Sequence, residues 1–323
     1  WEWFWQQRVG PDGKFPDPMV IYNETARHKE DQLRRLKKRG DAVLSPADAN
    51  WKLIGPAGAP TSSGAGRVNR VHINPDFPNV IWAGTAAGGA WKSTDNGATW
   101  TAKTDGIPSM GVTDIATTIS NPNLIYIATG DGYGSGSSVQ VPISYSVGVM
   151  ISSDGGDTWS PSGLSWKTSN ARVICRLLLS PANPQLLLAA TSNGIYRTTD
   201  GGALWTMVQS GDFKDMDFKP DDPTTIYASA GKNIYRSTNE GASWQAMNTG
   251  IPNSIGRIAL AVSLANPEMV YALCAVGGSW GFGGFYSSNN SGTTWTLQYS
   301  GPLNIIGRDL DGMDNSQQQG WYD

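Results

Sequence analysis

The chain has 323 residues, with 39 Gly, 19 Pro, 14 Trp, 2 Cys and 2 His, 16% charged residues and a formal net charge of −3. That balance gives no bulk attraction to nucleic acid, two Cys exclude a disulfide scaffold, and two His exclude a multi-His metal site. No run of about 18 apolar residues offers a membrane helix, so a large, turn-rich protein remains, for which neither cofactor nor metal is expected.

Residues 1–50 read as an extension and 51–323 as the main domain. The extension opens on the aromatic cluster Trp1-Glu-Trp-Phe-Trp5, expected to dock on the rest of the protein because exposed apolar patches are costly. A basic helix is expected from Asn23 to Arg39, with Asn23 as N-cap and Gly40 as stop. Its thin apolar face, Ala26, Leu33 and Leu36, disfavours membrane insertion. The chain begins at Trp1 without a charged-then-apolar leader, which leads to the expectation of a removed signal peptide and a secreted or cell-surface protein.

An octapeptide then recurs five times. Ser93-Thr-Asp95-Asn-Gly97-Ala-Thr99-Trp100 returns as Ser152 to Trp159, Thr198 to Trp205, Ser237 to Trp244 and Ser288 to Trp295. Its third position is Asp95, Asp154, Asp200, Asn239 and Asn290 in turn, at intervals of 39 to 59 residues. Asp or Asn folds onto nearby backbone amides as an Asx-turn. Gly supplies a positive φ, and Trp opens the next strand and packs between sheets. The unit is therefore a structural hairpin turn and not a metal loop. Upstream of each copy lies a Pro-led β-rich phrase, such as Pro78 to Ala83 or Pro267 to Ala272, and before it another strand-like run. Four strands per repeat at this period describe an all-β fold, a β-propeller of four-stranded blades. Five full blades are expected near 66–104, 111–163, 171–209, 213–249 and 255–300. Trp51 to Gly55 reads as a lone closing strand and 305–323 as the start of a sixth blade. The open edges this leaves suggest that the native protein continues past Asp323.

These octapeptides resemble those of the Asp-box (BNR-repeat) β-propellers, a superfamily that includes sialidases, family 74 glycoside hydrolases and the sortilin ectodomain. Gly66-Arg67, Ala83 to Lys92 and Gln319 to Asp323 also resemble large secreted Bacteroidetes proteins. That resemblance implies export by a type IX system, whose translocon would be a transient partner.

Meander geometry puts the octapeptides on one face of the disc and the unusual residues on the other. That second face collects Arg67, Arg172, Arg257 and Arg308 at starts of inner strands, and Tyr133 and Tyr145 from a long insertion in blade 2. It also collects Trp166 from the connection to blade 3, and Trp280 and Phe282 from a Gly-rich insertion in blade 5. Arginines and aromatic loops around a polar channel suit capture of a glycan or a protein. Asp131 and Asp311 are candidate catalytic carboxylates, with Asp309 and Asp314 close by, because glycosidases need two carboxyl groups across the scissile bond. The resemblance places the family 74 acid in the first-blade turn Thr85 to Trp91, where this chain has Ala86 and Ala87. The Arg-Ile-Pro motif of sialidases is absent. Without a complete acid pair, the expected function is a binding or adhesion module for glycan or protein within a larger exported protein. A glycoside hydrolase acting on a polysaccharide is the alternative.

Overall fold

The computed structural model describes residues 66–301 apart from 75, 110, 119–120 and 134–143, together with 306. The chain divides into two compact units, Trp1–Ala57 and Gly58–Asp323, and the described residues belong to the second. The aromatic cluster, the basic helix, Trp51 to Gly55, Arg308 and Asp311 lie outside them.

Among the described residues, twenty strands form five four-stranded antiparallel sheets, each a simple meander. Blade 1 is β1 (Val68–Asn74), β2 (Phe77–Thr85), β3 (Ala90–Ser93) and β4 (Thr101–Ala102). Blade 2 is β5 (Val112–Thr117), β6 (Ile125–Thr129), β7 (Gly148–Ser152) and β8 (Ser160–Ser165). Blade 3 is β9 (Ile174–Leu179), β10 (Leu187–Thr191), β11 (Gly194–Thr198) and β12 (Thr206–Ser210). Blade 4 is β13 (Asp215–Lys219), β14 (Asp222–Ala230), β15 (Asn233–Ser237) and β16 (Gln245–Ala246), and blade 5 is β17 (Ile255–Val262), β18 (Val270–Val276), β19 (Phe282–Ser288) and β20 (Thr296–Tyr299).

The second strands read as continuous apolar runs because both their faces are covered. Every residue of β6 and of β10 is buried. The core is a series of seams between blades. Trp82 and Ala90 pack on Val112, Ile115 and Ile127 between blades 1 and 2. Tyr126 and Val149 meet Ile174 and Leu187 at the next seam. Leu188 and Ile195 meet Phe213 and Ile226 at the third, and Tyr227 and Ile234 meet Ile258 and Tyr286 at the fourth.

The octapeptides form the expected turns. Ser152 Oγ donates to Asp154 Oδ1 at 2.7 Å and accepts from Gly156 N at 2.8 Å, while Asp154 accepts from Thr158 N and Thr158 Oγ1 at 2.9 and 2.6 Å. Gly156 holds φ of 92°, and an added Cβ would stand 2.5 Å from the Trp82 ring. The turns also clasp neighbouring blades. Lys92 Nζ donates to Gly155 O at 2.9 Å, Tyr126 Oη to Gly201 O at 3.2 Å and Arg236 NH1 to Ser291 O at 2.6 Å. Each fourth strand starts one residue after the boxed Trp rather than at it. The indole is used to close the turn instead: Trp100, Trp205 and Trp244 donate Nε1 to Gly97 O, Gly202 O and Gly241 O. Trp159, Trp205, Trp244 and Trp295 pack in inter-blade seams, whereas Trp100 in the first described blade is 36% exposed.

Two outcomes follow. Ser152→Ala removes a buried hydroxyl that satisfies Gly156 N, and is expected to cost about 1 kcal/mol in urea unfolding. The hydroxyl and amide donors of Thr99 bring the carboxyl of Asp95 down to about 2 from 3.8, Thr158 lowers Asp154, and Thr198 lowers Asp200. Carboxyls depressed in the folded state stabilise it above their unfolded values and lose that contribution as pH falls through the folded ones. Asn239 and Asn290 do not titrate. Protection of the Gly97 and Gly156 amides, taken relative to their intrinsic exchange rates, is therefore expected to fall between about pH 4 and pH 2, before that of Gly241 and Gly292. Equal behaviour of all five turns would contradict the assignment.

Candidate functional site

The inner strands β1, β5, β9, β13 and β17 of successive blades lie side by side around a channel. Their charged residues interlock across blades. Asp114 of β5 meets Arg70 Nε of β1 at 3.0 Å and Arg176 NH1 of β9 at 3.5 Å. Arg176 Nε reaches Asp215 Oδ1 of β13 at 3.2 Å, and Asp215 Oδ2 accepts from Leu260 N of β17 at 2.7 Å. Burial works against the charge of Arg176, yet Asp114 and Asp215 raise its pKa. Asp217, one pleat further along β13, is raised by burial.

Above this belt opens a cavity of about 730 Å³ lined by Arg67, Arg70, Tyr133, Lys214 and Arg257 among others. Blade 2 contributes Tyr133 to its lining, at the end of the turn Thr129-Gly-Asp-Gly132. Thr113 Oγ1 accepts from Gly132 N at 2.9 Å and donates to Gly130 O at 3.0 Å. Gly132 passes so close to β9 that a Cβ would lie 2.5 Å from Ile174 O. The loop therefore brings Tyr133 to the cavity wall and sets Asp131 behind it, against Arg67. Arg67 NH2 donates to both oxygens of Asp131 at 2.5 Å, and Tyr133 N donates to Asp131 Oδ1 at 3.2 Å. The Arg257 guanidinium stands 5.7 Å over the Tyr133 ring. Tyr133 Oη donates to Cys175 O at 3.2 Å, and burial raises its pKa.

Four residues expected from the sequence thus meet at one place: Arg67, Asp131, Tyr133 and Arg257. Tyr145 is half-buried beside Ser144, whose carbonyl accepts from Asp131 N at 2.7 Å. Trp280 lines an adjacent cleft of about 350 Å³ with Tyr235, Lys214 and Arg257. Its backbone is left-handed, with φ of 59°. Arg172 and Trp166 form a separate cluster: the guanidinium lies 5.5 Å over the Trp166 ring and donates to Tyr196 Oη at 3.2 Å. Phe282 packs on Tyr299 with ring centroids 5.8 Å apart. Sequence reasoning missed Arg70, Asp114, Arg176, Lys214 and Asp215. The available signal was a charge inside an apolar strand, as in Ile174-Cys-Arg-Leu-Leu-Leu179. Among the described residues no cluster of three His, Cys, Asp or Glu side chains is grouped for a metal ion.

No family profile matches the chain. Among curated proteins it is similar to a xyloglucanase of a Paenibacillus species, 28% identical over 161 residues, or 46% of this chain and 15% of that protein. A xyloglucanase of Hypocrea jecorina is 29% identical over 184 residues, 53% of this chain and 20% of the relative. The chain spans a fifth or less of the length of these relatives. Among solved structures, an ancestral GH74 enzyme superposes with a TM-score of 0.60 and 22% identity, covering 80% of this chain and 33% of that one. The Niastella koreensis GH74 enzyme gives 0.55 and 20%, covering 77% and 43%. The fold is a β-propeller like those of GH74 enzymes.

These relatives correct the expectation of a binding or adhesion module: the curated proteins that match are named as xyloglucanases, so the glycosidase alternative has the better support. That expectation rested on Ala86 and Ala87 standing where an acid was awaited. The absence of an acid from that turn does not by itself decide against hydrolysis, because a carboxyl group can be supplied from another loop. Ala86 N donates to Arg67 O at 3.2 Å, and the Arg67 side chain holds Asp131 from the next blade.

Proposed function

We propose that the protein is a glycoside-hydrolase β-propeller acting on a xyloglucan-like polysaccharide at the channel mouth. The observation that carries this reading is the sequence similarity to curated xyloglucanases on the matching fold. Every contact to the Asp131 carboxylate comes from a donor, which suits the ionised member of a glycosidase pair. Asp311, which lies outside the described residues, is taken as the proton-donating member. Arg67, Tyr133 and Arg257 orient the sugar, with Trp280 as a stacking face beside them.

The same reading takes the octapeptides as Asp boxes of the sialidase, family 74 and sortilin superfamily. It takes residues 1–50 as an extension on a 51–323 propeller, and the protein as exported to the cell exterior, with a type IX translocon as a transient partner. The test is incubation of the full chain with xyloglucan followed by chromatography of the products. Shortened chains are expected. Intact polymer, with other β-glucans also uncut, would overturn the reading.

A further inference from the structure

In two ion pairs of the channel wall the cation faces the open space and the acid lies behind it, whereas Asp215, 19% exposed, itself lines the cavity beside Arg176, 10% exposed. The Arg70 side chain is 38% exposed against 1% for its partner Asp114, and Arg67 is 35% exposed against 10% for Asp131. The acids are already occupied by backbone amides on their far side. Asp114 accepts from Ile115 N and Leu177 N, both at 2.9 Å, and Asp215 from Met216 N and Leu260 N at 2.9 and 2.7 Å. Arg70 meets Asp114 through Nε alone and off the hydrogen-bond axis, and its terminal amino groups make no hydrogen bond to a described residue. Lys214, 28% exposed, lines the same wall and pairs at 2.9 Å with Asp212, which is 57% exposed at the edge of the adjacent cleft. A guanidinium fork and an ammonium group facing one cavity fit a planar carboxylate better than a neutral hydroxyl.

We infer that this wall binds a carboxylate carried by the glycan, so that the preferred ligand contains a uronic acid residue. The inference rests on the glycan reading of the channel. It reaches past neutral polysaccharide, because neutral sugars give Arg70 no charged acceptor.

Calorimetry on the full chain tests it, with a glucuronic-acid-bearing oligosaccharide, its carboxyl-reduced counterpart and an acidic peptide as probes. The acidic sugar is expected to bind about tenfold more tightly than the reduced one, the size of one charge-assisted hydrogen bond. That preference should shrink with added salt and fall about tenfold in Arg70→Gln. Lys214→Gln is the second variant, for use if Arg70→Gln does not fold. Equal binding of the acidic and reduced sugars, tighter binding of the peptide, or a preference untouched by both variants would overturn the inference. Hydrolysis of neutral xyloglucan is scored in parallel. Cleavage without acid preference leaves the hydrolase reading standing and removes this one, whereas acid preference without cleavage does the reverse.

Discussion

Arg176→Leu is expected to lower stability by about 3–5 kcal/mol in urea unfolding, the usual result of breaking a buried ion pair from one side. Arg176 is 8% exposed and joins three blades: its own, blade 2 through Asp114 and blade 4 through Asp215. It also donates Nε to Met216 O at 3.2 Å. Leucine fills much of the volume but leaves Asp114, 1% exposed, facing Arg70 alone. The loss comes mainly from stranded carboxylates. Asp114→Asn with Asp215→Asn in the Arg176→Leu background is expected to recover part of the loss. A single-variant cost below about 1 kcal/mol would show that the belt does not hold the blades together.

Asp131→Asn is expected to reduce turnover of xyloglucan on the order of a thousandfold, within the range of general acid–base catalysis. The amide keeps an oxygen for Arg67 and for Tyr133 N but gives up the second Arg67 contact and the ion pair, so a stability loss of about 1–3 kcal/mol is expected beside it and turnover is read on folded protein. The amide loses the ability to take a proton from water or to carry charge at the sugar. The fall should appear in kcat with KM little changed, since binding contacts lie mostly on Arg67, Tyr133 and Arg257. A fall of less than about tenfold would remove Asp131 from the chemistry.

Most of the fold was legible because its signals are local. The box from Ser152 to Trp159 closes within eight residues, and Gly156 and Trp159 each have one physical task there. The site was half legible. Arg67 stands at a strand start and Asp131 between two glycines, positions that sequence alone marks as unusual. Arg70, Asp114, Arg176 and Asp215 pair across four blades, and 62 residues separate Asp114 from Arg176. No local pattern encodes such contacts. The functional expectation missed for a related reason. Ala86 and Ala87 were weighed as a lost acid, although the contact of Arg67 with Asp131 spans 64 residues and two blades, beyond what the local turn can report.

Hydrogen exchange of the full chain, with and without a xyloglucan oligosaccharide, tests the location of the glycan most directly. A glycan lying across the channel mouth slows exchange at 67–70, 131–133, 214–215 and 256–258. Protection confined to the octapeptide turns on the opposite face, or none anywhere, would contradict a glycan site at the channel.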